Sequence, residues 1–241
     1  MTEYTIFARF YDKMMGNIPY DKMESYLIQL FYRFGVRPCG DIAEIGCGTG
    51  EMTELLCLDG FRMTGIDLSS EMLKIAQTKA GAADIEYLEQ DMRSFKLRDK
   101  QDAVICVGDG MNYMRSVADL SAVMKSAKNN LKNGGVFIFD LKTEYLFRKF
   151  LDGKKYKDTI DGVVCNWKNS YDTADRTHHY YLEFSKSGKS IGQEEHMQHV
   201  FTAAEIKAAA VAAGFGHAAA YEAFTFRKPH TNSERIYIIC G

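Results

Sequence analysis

Residues 41–50, Asp-Ile-Ala-Glu-Ile-Gly-Cys-Gly-Thr-Gly, constrain the chain most tightly. A short apolar run breaks at Gly46 and gives way to a helical pattern from Glu51. This reads as a strand entering a tight turn and then a helix. Glycines at 46, 48 and 50 let backbone approach a ligand where Cβ atoms would otherwise stand, so the turn is a nucleotide-binding loop with its ligand at the helix start. Spacing decides which nucleotide. A dinucleotide fingerprint has its third glycine three residues after the second; that position is Glu51 here, and the third glycine comes early, at Gly50. The spacing disfavours a nicotinamide oxidoreductase. An acid, Glu44, stands two residues before the first glycine.

Further strands end on carboxylates. Arg62-Met-Thr-Gly-Ile-Asp67 reads as a second strand, and Asp67 lies 17 residues beyond Gly50. An α/β nucleotide fold places the acid that takes ribose hydroxyls at roughly a 20-residue offset. The bland role for Asp67, a helix N-cap, is already supplied by Ser69 or Ser70 for a helix over 71–80. A third strand over 85–92 ends in Asp91-Met92. A lone aspartate there is usually a turn residue, but in register with 44–50 and 67 it reads as a ligand position. The fourth strand, Ala103-Val-Ile-Cys-Val107-Gly108, is continuously apolar, as for a parallel strand covered on both faces. Ligands in open α/β sheets lie beyond the carboxyl ends of the strands at the topological switch, which makes Asp109, Asn112 and Tyr113 of the exit loop candidates to face the reacting group. A helix over 117–132, a stop at Lys132-Asn-Gly-Gly135 and a strand over 136–141 complete a doubly wound α/β pattern.

The pattern then changes. Apolar-alternating runs over 163–171, 178–186 and 194–201, split by turn residues, predict an antiparallel meander. Trp167, Tyr171, Tyr180, Tyr181 and the histidines would wall a pocket or form the meander's own packing face. His196-x-x-His199 invites a metal reading, but on a strand residues three apart face opposite ways; His178 and His179 fail likewise, and no metal is expected. His196 suits a pocket base because imidazole titrates near neutral pH. A helix over 203–213 opened by Thr202 and strands near 217–226 and 235–240 end the chain. At the other end, apolar residues at helical spacing over 4–34 predict two helices broken at 16–19.

With 241 residues and 46% apolar content the chain supports one large domain, and Lys+Arg 30 against Asp+Glu 32 gives no field to draw nucleic acid or an anionic membrane. Lysines 149, 154, 155 and 157 interleave with Asp152, Asp158 and Asp161, as in a solvated loop. Six cysteines without a C-x-x-C read as reduced, and without an apolar leader or an 18-residue apolar run the protein is expected to be soluble and cytoplasmic.

The Glu44-x-Gly-x-Gly-x-Gly50 pattern resembles motif I of the class I S-adenosylmethionine (SAM) dependent methyltransferases. The resemblance extends over the chain through Tyr11-Asp12-Lys-Met-Met with Pro19-Tyr20-Asp21, Gln90-Asp91-Met92, Cys106-x-x-Asp109-x-x-Asn112-Tyr113, Glu194-Glu-His196-x-Gln198, Phe224-Thr-Phe and Ser233-Glu234-Arg235-Ile-Tyr237. In these the chain is similar to a bacterial family of such enzymes related to the sugar-amine N,N-dimethyltransferases.

The resemblance implies a Rossmann-like class I fold: a seven-stranded, mostly parallel sheet with an antiparallel final strand, a helical N-terminal lid (1–38), a SAM-binding core (39–141 and 202–241) and an inserted antiparallel β cover (142–201). It implies SAM contacts from Glu44, Gly46, Cys47 and Gly48, from Asp67 and Leu68 at the ribose, from Asp91 and Met92 at the adenine, and from Val107 and Gly108. The face of Tyr11 would lie beside the sulfonium, worth about 0.5 to 2 kcal/mol. Gly108 departs from the pattern, since a bulky residue is commoner there; the change would either widen the pocket or loosen it, which weakens what the resemblance implies about substrate. The methyl would pass by in-line displacement to an N or O atom of a small molecule, with Asp109 or His196 as base and Tyr113 beside them. An RNA methyltransferase, disfavoured by the lack of an N-P-P-Y or D-P-P-Y tetrapeptide, and a SAM-binding protein without turnover are the alternatives. A monomer or homodimer is expected.

Overall fold

The computed structural model describes residues 6–241; Tyr4 of the N-terminal apolar series lies outside the described residues. A 3-10 turn, Phe7–Phe10, leads into α1 (Tyr11–Met14) and α2 (Tyr20–Arg33). Then follow β1 (Asp41–Ile45), α3 (Glu51–Leu58), β2 (Arg62–Asp67), α4 (Ser70–Ala76), β3 (Glu86–Glu89) and β4 (Gln101–Cys106). A 3-10 turn, Gly110–Tyr113, precedes α5 (Val117–Asn130) and β5 (Leu131–Lys142). After α6 (Glu144–Leu146) and a π turn, Phe147–Leu151, come β6 (Lys155–Ile160), β7 (Val163–Asp172), β8 (Thr177–Lys186) and β9 (Lys189–His199). The chain closes with α7 (Ala203–Ala212), β10 (Ala218–Glu222) and β11 (Arg235–Cys240).

Seven strands form one sheet in the order β10-β11-β5-β4-β1-β2-β3. The pairs from β3 across to β5 are parallel, and β11 runs antiparallel to both β5 and β10. Alternation along each strand divides the core between two faces. Ile42, Ala103, Ile105 and Ile138 meet Leu27, Leu30 and Phe31 of α2 on one face. Ala43, Val104, Phe137 and Phe139 meet Leu120, Val123 and Met124 of α5 and Ala209 of α7 on the other. Each such Leu, Ile or Phe contributes about 1.5 to 3 kcal/mol by burial. This is the sheet the sequence predicts. Because β1 lies between β2 and β4, the direction of winding reverses there, and a crevice opens beyond the ends of β1 and β4.

The second sheet, β6-β7-β8-β9, is antiparallel. Its inner face and the N-terminal segment share a third cluster, in which Phe7 packs with Val163, Cys165, Leu182 and Phe184. The side chain of Ile6 lies where a Cβ on Gly192 would stand.

The expected strand over 85–92 closes at Glu89, which leaves Asp91 and Met92 in the turn beyond it, and the expected helix over 71–80 closes at Ala76. Three further boundaries differ. The run 155–160, read as a solvated loop, is β6; its residues are nearly all exposed, so it carries no apolar alternation, and its mixed charges suit an edge. The expected helix over 117–132 stops at Asn130, whose amide donates to the carbonyls of Phe95 (3.1 Å) and Ser126 (2.9 Å). Residues 131–135, including the glycine pair read as a stop, belong to β5, where Leu131 pairs with Gln101 across a register shift. The expected strand over 217–226 ends at Glu222, and Phe224 beyond it has a positive φ.

Among the described residues no helix is long and apolar enough to cross a membrane, and no group of three or more His, Cys, Asp or Glu side chains converges as a metal site.

Candidate active site

The glycine turn is pinned by backbone. Gly46 and Cys47 donate their N–H groups to the Ile66 carbonyl (2.7 and 3.0 Å). Asp67, at the end of β2, accepts from Gly48 N through Oδ2 and from Ser69 N through Oδ1, both at 2.8 Å. The three glycines all have positive φ but serve different ends. A Cβ on Gly50 would stand 2.5 Å from the Tyr87 hydroxyl and 3.0 Å from Ala76 Cβ, so Gly50 allows close packing. A Cβ on Gly48 would meet no protein atom within 4 Å and would project into open space.

That space is a cavity of about 610 Å³ at the switch point. Glu44, Gly46, Cys47, Gly48, Asp67 and Leu68 line one side of it, Asp91, Met92, Val107 and Gly108 another, and Tyr11 and Tyr113 join them. The residues named from the sequence as cofactor contacts thus border one cavity.

Their electrostatics differ. Burial pushes the Glu44 carboxyl up to about 8 against the hydrogen bond it accepts from Thr53. Burial also raises Asp67, opposed by the N–H groups of Ser69 and Gly48. Asp91 is held below its ordinary value by Arg93, whose Nε lies 3.0 Å from both carboxylate oxygens. The adenine-facing role assigned to Asp91 therefore falls to a carboxylate already paired with a cation. Burial and the nearby Asp109 charge keep Tyr11 a neutral phenol, and its hydroxyl is hydrogen-bonded to Tyr20.

Asp12, which enters the sequence reading only within the Tyr11-Asp12-Lys-Met-Met motif and without a site role, accepts from Thr49 Oγ1 (2.5 Å) and pairs with Lys79 (3.1 Å). It fastens α1 to the glycine turn.

The candidates in the exit loop of β4 separate into two networks. Gly108 and Asp109 are consecutive residues at positive φ, 81° and 74°, an uncommon conformation for an aspartate. Asp109 N donates to Asp140 Oδ1 (3.1 Å), and the Asp109 carboxylate is clasped by Lys142 (2.5 Å) and by Arg235, which also holds Asp140. Burial opposes ionisation of Asp109, but Arg235 and Lys142 keep it below the usual carboxylate range. A carboxylate held by two cations is a poor proton acceptor, so the base role expected of Asp109 gives way to anchoring. Asn112 is fully buried: its amide donates to the carbonyls of Lys142 (3.2 Å) and His199 (2.9 Å), and its oxygen accepts from Lys142 N (2.9 Å). It ties the loop to both sheets and is not among the residues that line the cavity.

Tyr113 is in the cavity wall. Its hydroxyl bonds to that of Tyr180 and lies 3.3 Å from His196 Nδ1. His196, buried behind it on β9, places Nε2 3.1 Å from Glu194 Oε2. Tyr180 stacks on the His196 ring with centroids 5.0 Å apart. Tyr180, expected either to wall a pocket or to belong to the meander's own packing face, joins the Tyr113–His196 network, while Glu194, Lys142 and Arg235 have no site role in the sequence reading. Cross-strand register, which no local motif carries, brings Tyr180 opposite His196 and Arg235 opposite Lys142.

The family model for a methyltransferase domain matches residues 42–135. A Bacillus subtilis (strain 168) protein, "Putative methyltransferase YqeM", is 30% identical over 240 residues, covering 97% of this chain and 95% of its own. A Streptomyces venezuelae dTDP-3-amino-3,4,6-trideoxy-alpha-D-glucopyranose N,N-dimethyltransferase is 27% identical, covering 72% of this chain and 74% of its own. The crystal structure of a SAM-dependent methyltransferase from Clostridium acetobutylicum ATCC 824 superposes with a TM-score of 0.83 at 26% identity, over 99% of this chain and 98% of that one. Similarity running the length of both chains, on a sheet of this strand order, makes the protein a member of the class I methyltransferases, enzymes that take their methyl group from S-adenosylmethionine.

Proposed function

We propose that this enzyme methylates a nitrogen or oxygen atom of a small-molecule acceptor held beneath the antiparallel sheet. The observation that supports a small acceptor most directly is the seat of Tyr11, which lines the cavity and packs against the hydrophobic core that the N-terminal segment shares with the antiparallel sheet around Phe7. The lysines of β6 lie on an outer edge among aspartates, which does not favour a nucleic-acid strand. Among the described residues, Trp167 Nε1, Tyr171 Oη, both His178 nitrogens and Gln198 Oε1 are buried polar atoms without a hydrogen-bond partner; none belongs to the residues lining the cavity, so they would meet an acceptor only where it reaches past the cavity beneath the sheet. They sit on the inner face of the sheet, where Tyr171, His178 and Gln198 are cross-strand neighbours. Burial drives the His178 pKa down to about 3, so these groups are neutral and suit an uncharged, hydroxylated or amide-bearing portion of an acceptor. Similarity to an amino-sugar dimethyltransferase favours an amine.

The cavity fits the cofactor, because a Cβ on Gly48 or Gly108 would fill the space that the bare backbone leaves open. The glycine turn and Asp67 would hold its polar portions, and Met92 and Leu68 its ring. Bound SAM supplies a methyl group activated on a sulfonium, and S-adenosylhomocysteine leaves. The protein's part is alignment, worth up to about 7 to 11 kcal/mol, and removal of one proton. The acceptor's proton passes to Tyr113 Oη as that hydroxyl gives its own proton to His196 Nδ1. The resulting imidazolium faces Glu194.

Methyl-labelled SAM incubated with the enzyme and size-separated cell extract tests this. Label is expected in the small-molecule fraction; label in RNA or protein would overturn the reading. With the acceptor identified, Tyr113→Phe should lower kcat about a hundredfold while S-adenosylhomocysteine affinity changes by less than about twofold.

A further inference from the structure

We propose that Glu194 is a positioning residue that makes docking of the N-terminal segment and readiness of the proton path a single event. The inference rests on Tyr113 and His196 being that path. One carboxylate serves both ends: Oε1 accepts from Ile6 N (2.6 Å) and Phe7 N (3.0 Å), and Oε2 faces His196 Nε2 (3.1 Å). Burial opposes its charge, but His196 and the Phe7 and Ile6 N–H groups hold its pKa down to about 2, and an ionised carboxylate only accepts. His196 must therefore carry its hydrogen on Nε2. In the neutral ring Nδ1 is then bare and takes the Tyr113 hydroxyl, which in turn accepts from Tyr180. The opposite tautomer would set a lone pair against the carboxylate and point a hydrogen at Tyr113.

The N-terminal segment completes this arrangement. Without the Ile6 and Phe7 N–H groups, Oε1 loses two donors in a buried setting, where each bond lost to a charged group is costly. Phe7 also covers the pair, its ring centroid 5.2 Å from Trp167 and 6.0 Å from His196. Tyr11, four residues on, borders the cofactor cavity. Cofactor capture, docking of the segment and choice of the His196 tautomer are thus linked along one short stretch.

Glu194→Gln separates the functions. Ile6 and Phe7 still require an acceptor, so the amide oxygen stays with them and the NH₂ turns to His196 Nε2, forcing the ring hydrogen onto Nδ1. The full chain saturated with S-adenosylhomocysteine is used throughout. Long-range proton–nitrogen spectra, with His196 assigned from its loss in His196→Gln, should show Nε2–H in the wild type and Nδ1–H in Glu194→Gln. The Ile6 and Phe7 amides should stay protected from hydrogen exchange in Glu194→Gln and exchange at least about tenfold faster in Glu194→Ala. Turnover of Glu194→Gln should fall at least about tenfold, as when an amide replaces a tautomer-fixing carboxylate. An unchanged tautomer in Glu194→Gln, or unchanged exchange in Glu194→Ala, overturns the proposal. Neither readout needs an acceptor, so undiminished turnover by His196→Gln would instead overturn the proton path itself.

Discussion

Asp67→Ala is expected to weaken S-adenosylhomocysteine binding more than a hundredfold while leaving the protein folded. The carboxylate already accepts Gly48 N and Ser69 N and borders the cavity, where two ribose hydroxyls would donate to its remaining lone pairs. Hydrogen bonds to a charged group are worth about 1.5 to 3 kcal/mol each, so losing two costs about 3 to 6 kcal/mol. The variant also frees the Gly48 N–H, which loosens the turn. Asp67→Asn keeps the side-chain shape but can accept only one of the two N–H groups, and should fall between wild type and alanine. Calorimetric titration measures the affinity, and a thermal melt of the ligand-free protein checks the fold. Binding within about threefold of wild type in a folded Asp67→Ala protein would remove Asp67 from the ribose contacts.

The two halves of the site were not equally legible. Glycines that need positive φ and acids at strand ends are local signals, so residues 44–50, 67 and 91–92 could be named from the chain alone, and the structure sets Glu44, Gly46, Cys47, Gly48, Asp67, Asp91 and Met92 around one cavity. The other half depends on pairing. Whether Asp109 meets solvent, substrate or cations is decided by β11 lying antiparallel to β5, which brings Arg235 beside Lys142. Asn112 had the position of a ligand contact, but the carbonyls of two separate strands take its amide. His196 was legible as a histidine on an inward strand face, whereas its partner Tyr180 follows only from register. In the fold, β6 escaped notice because an exposed edge needs no apolar alternation. The end of α5 was misplaced because Asn130 closes the helix with side-chain bonds to Phe95 and Ser126, ahead of the glycines expected to do so.

The largest stability change is expected at Arg235. Asp109, Asp140, Lys142 and Arg235 form a charge-balanced cluster in which Asp140 is fully buried. Arg235→Ala leaves two acids facing one lysine, and removing one partner of a buried ion pair costs about 3 to 5 kcal/mol. For a chain of this size that is a fall in Tm of about 6 to 20 °C. The pH dependence follows from the two acids. Asp109 is held low in the wild type despite burial, by Arg235 and Lys142; it contributes stability above the ordinary carboxylate range that is lost as pH falls through its folded value. Asp140 is already raised, by burial above all, and without Arg235 it rises further. The folded variant then keeps a proton that its unfolded chain has released, so its stability falls as pH rises through that window. Both effects act in one direction: the gap between wild type and variant should be widest near neutral pH and narrow in acid. Adding Asp140→Asn to the variant should recover part of the loss, because a neutral amide costs less to bury than an unpaired charge. A Tm within about 2 °C of wild type at neutral pH would mean the cluster is solvated and contributes little. The cluster spans β5, β11 and the exit loop of β4, and it receives the Asp109 N–H in a conformation an aspartate seldom adopts. Releasing Asp109 should therefore loosen the turn that carries Tyr113, so kcat is expected to fall in Arg235→Ala even well below its melting temperature. A variant that is less stable but turns over normally would show that the cluster supports the sheet alone.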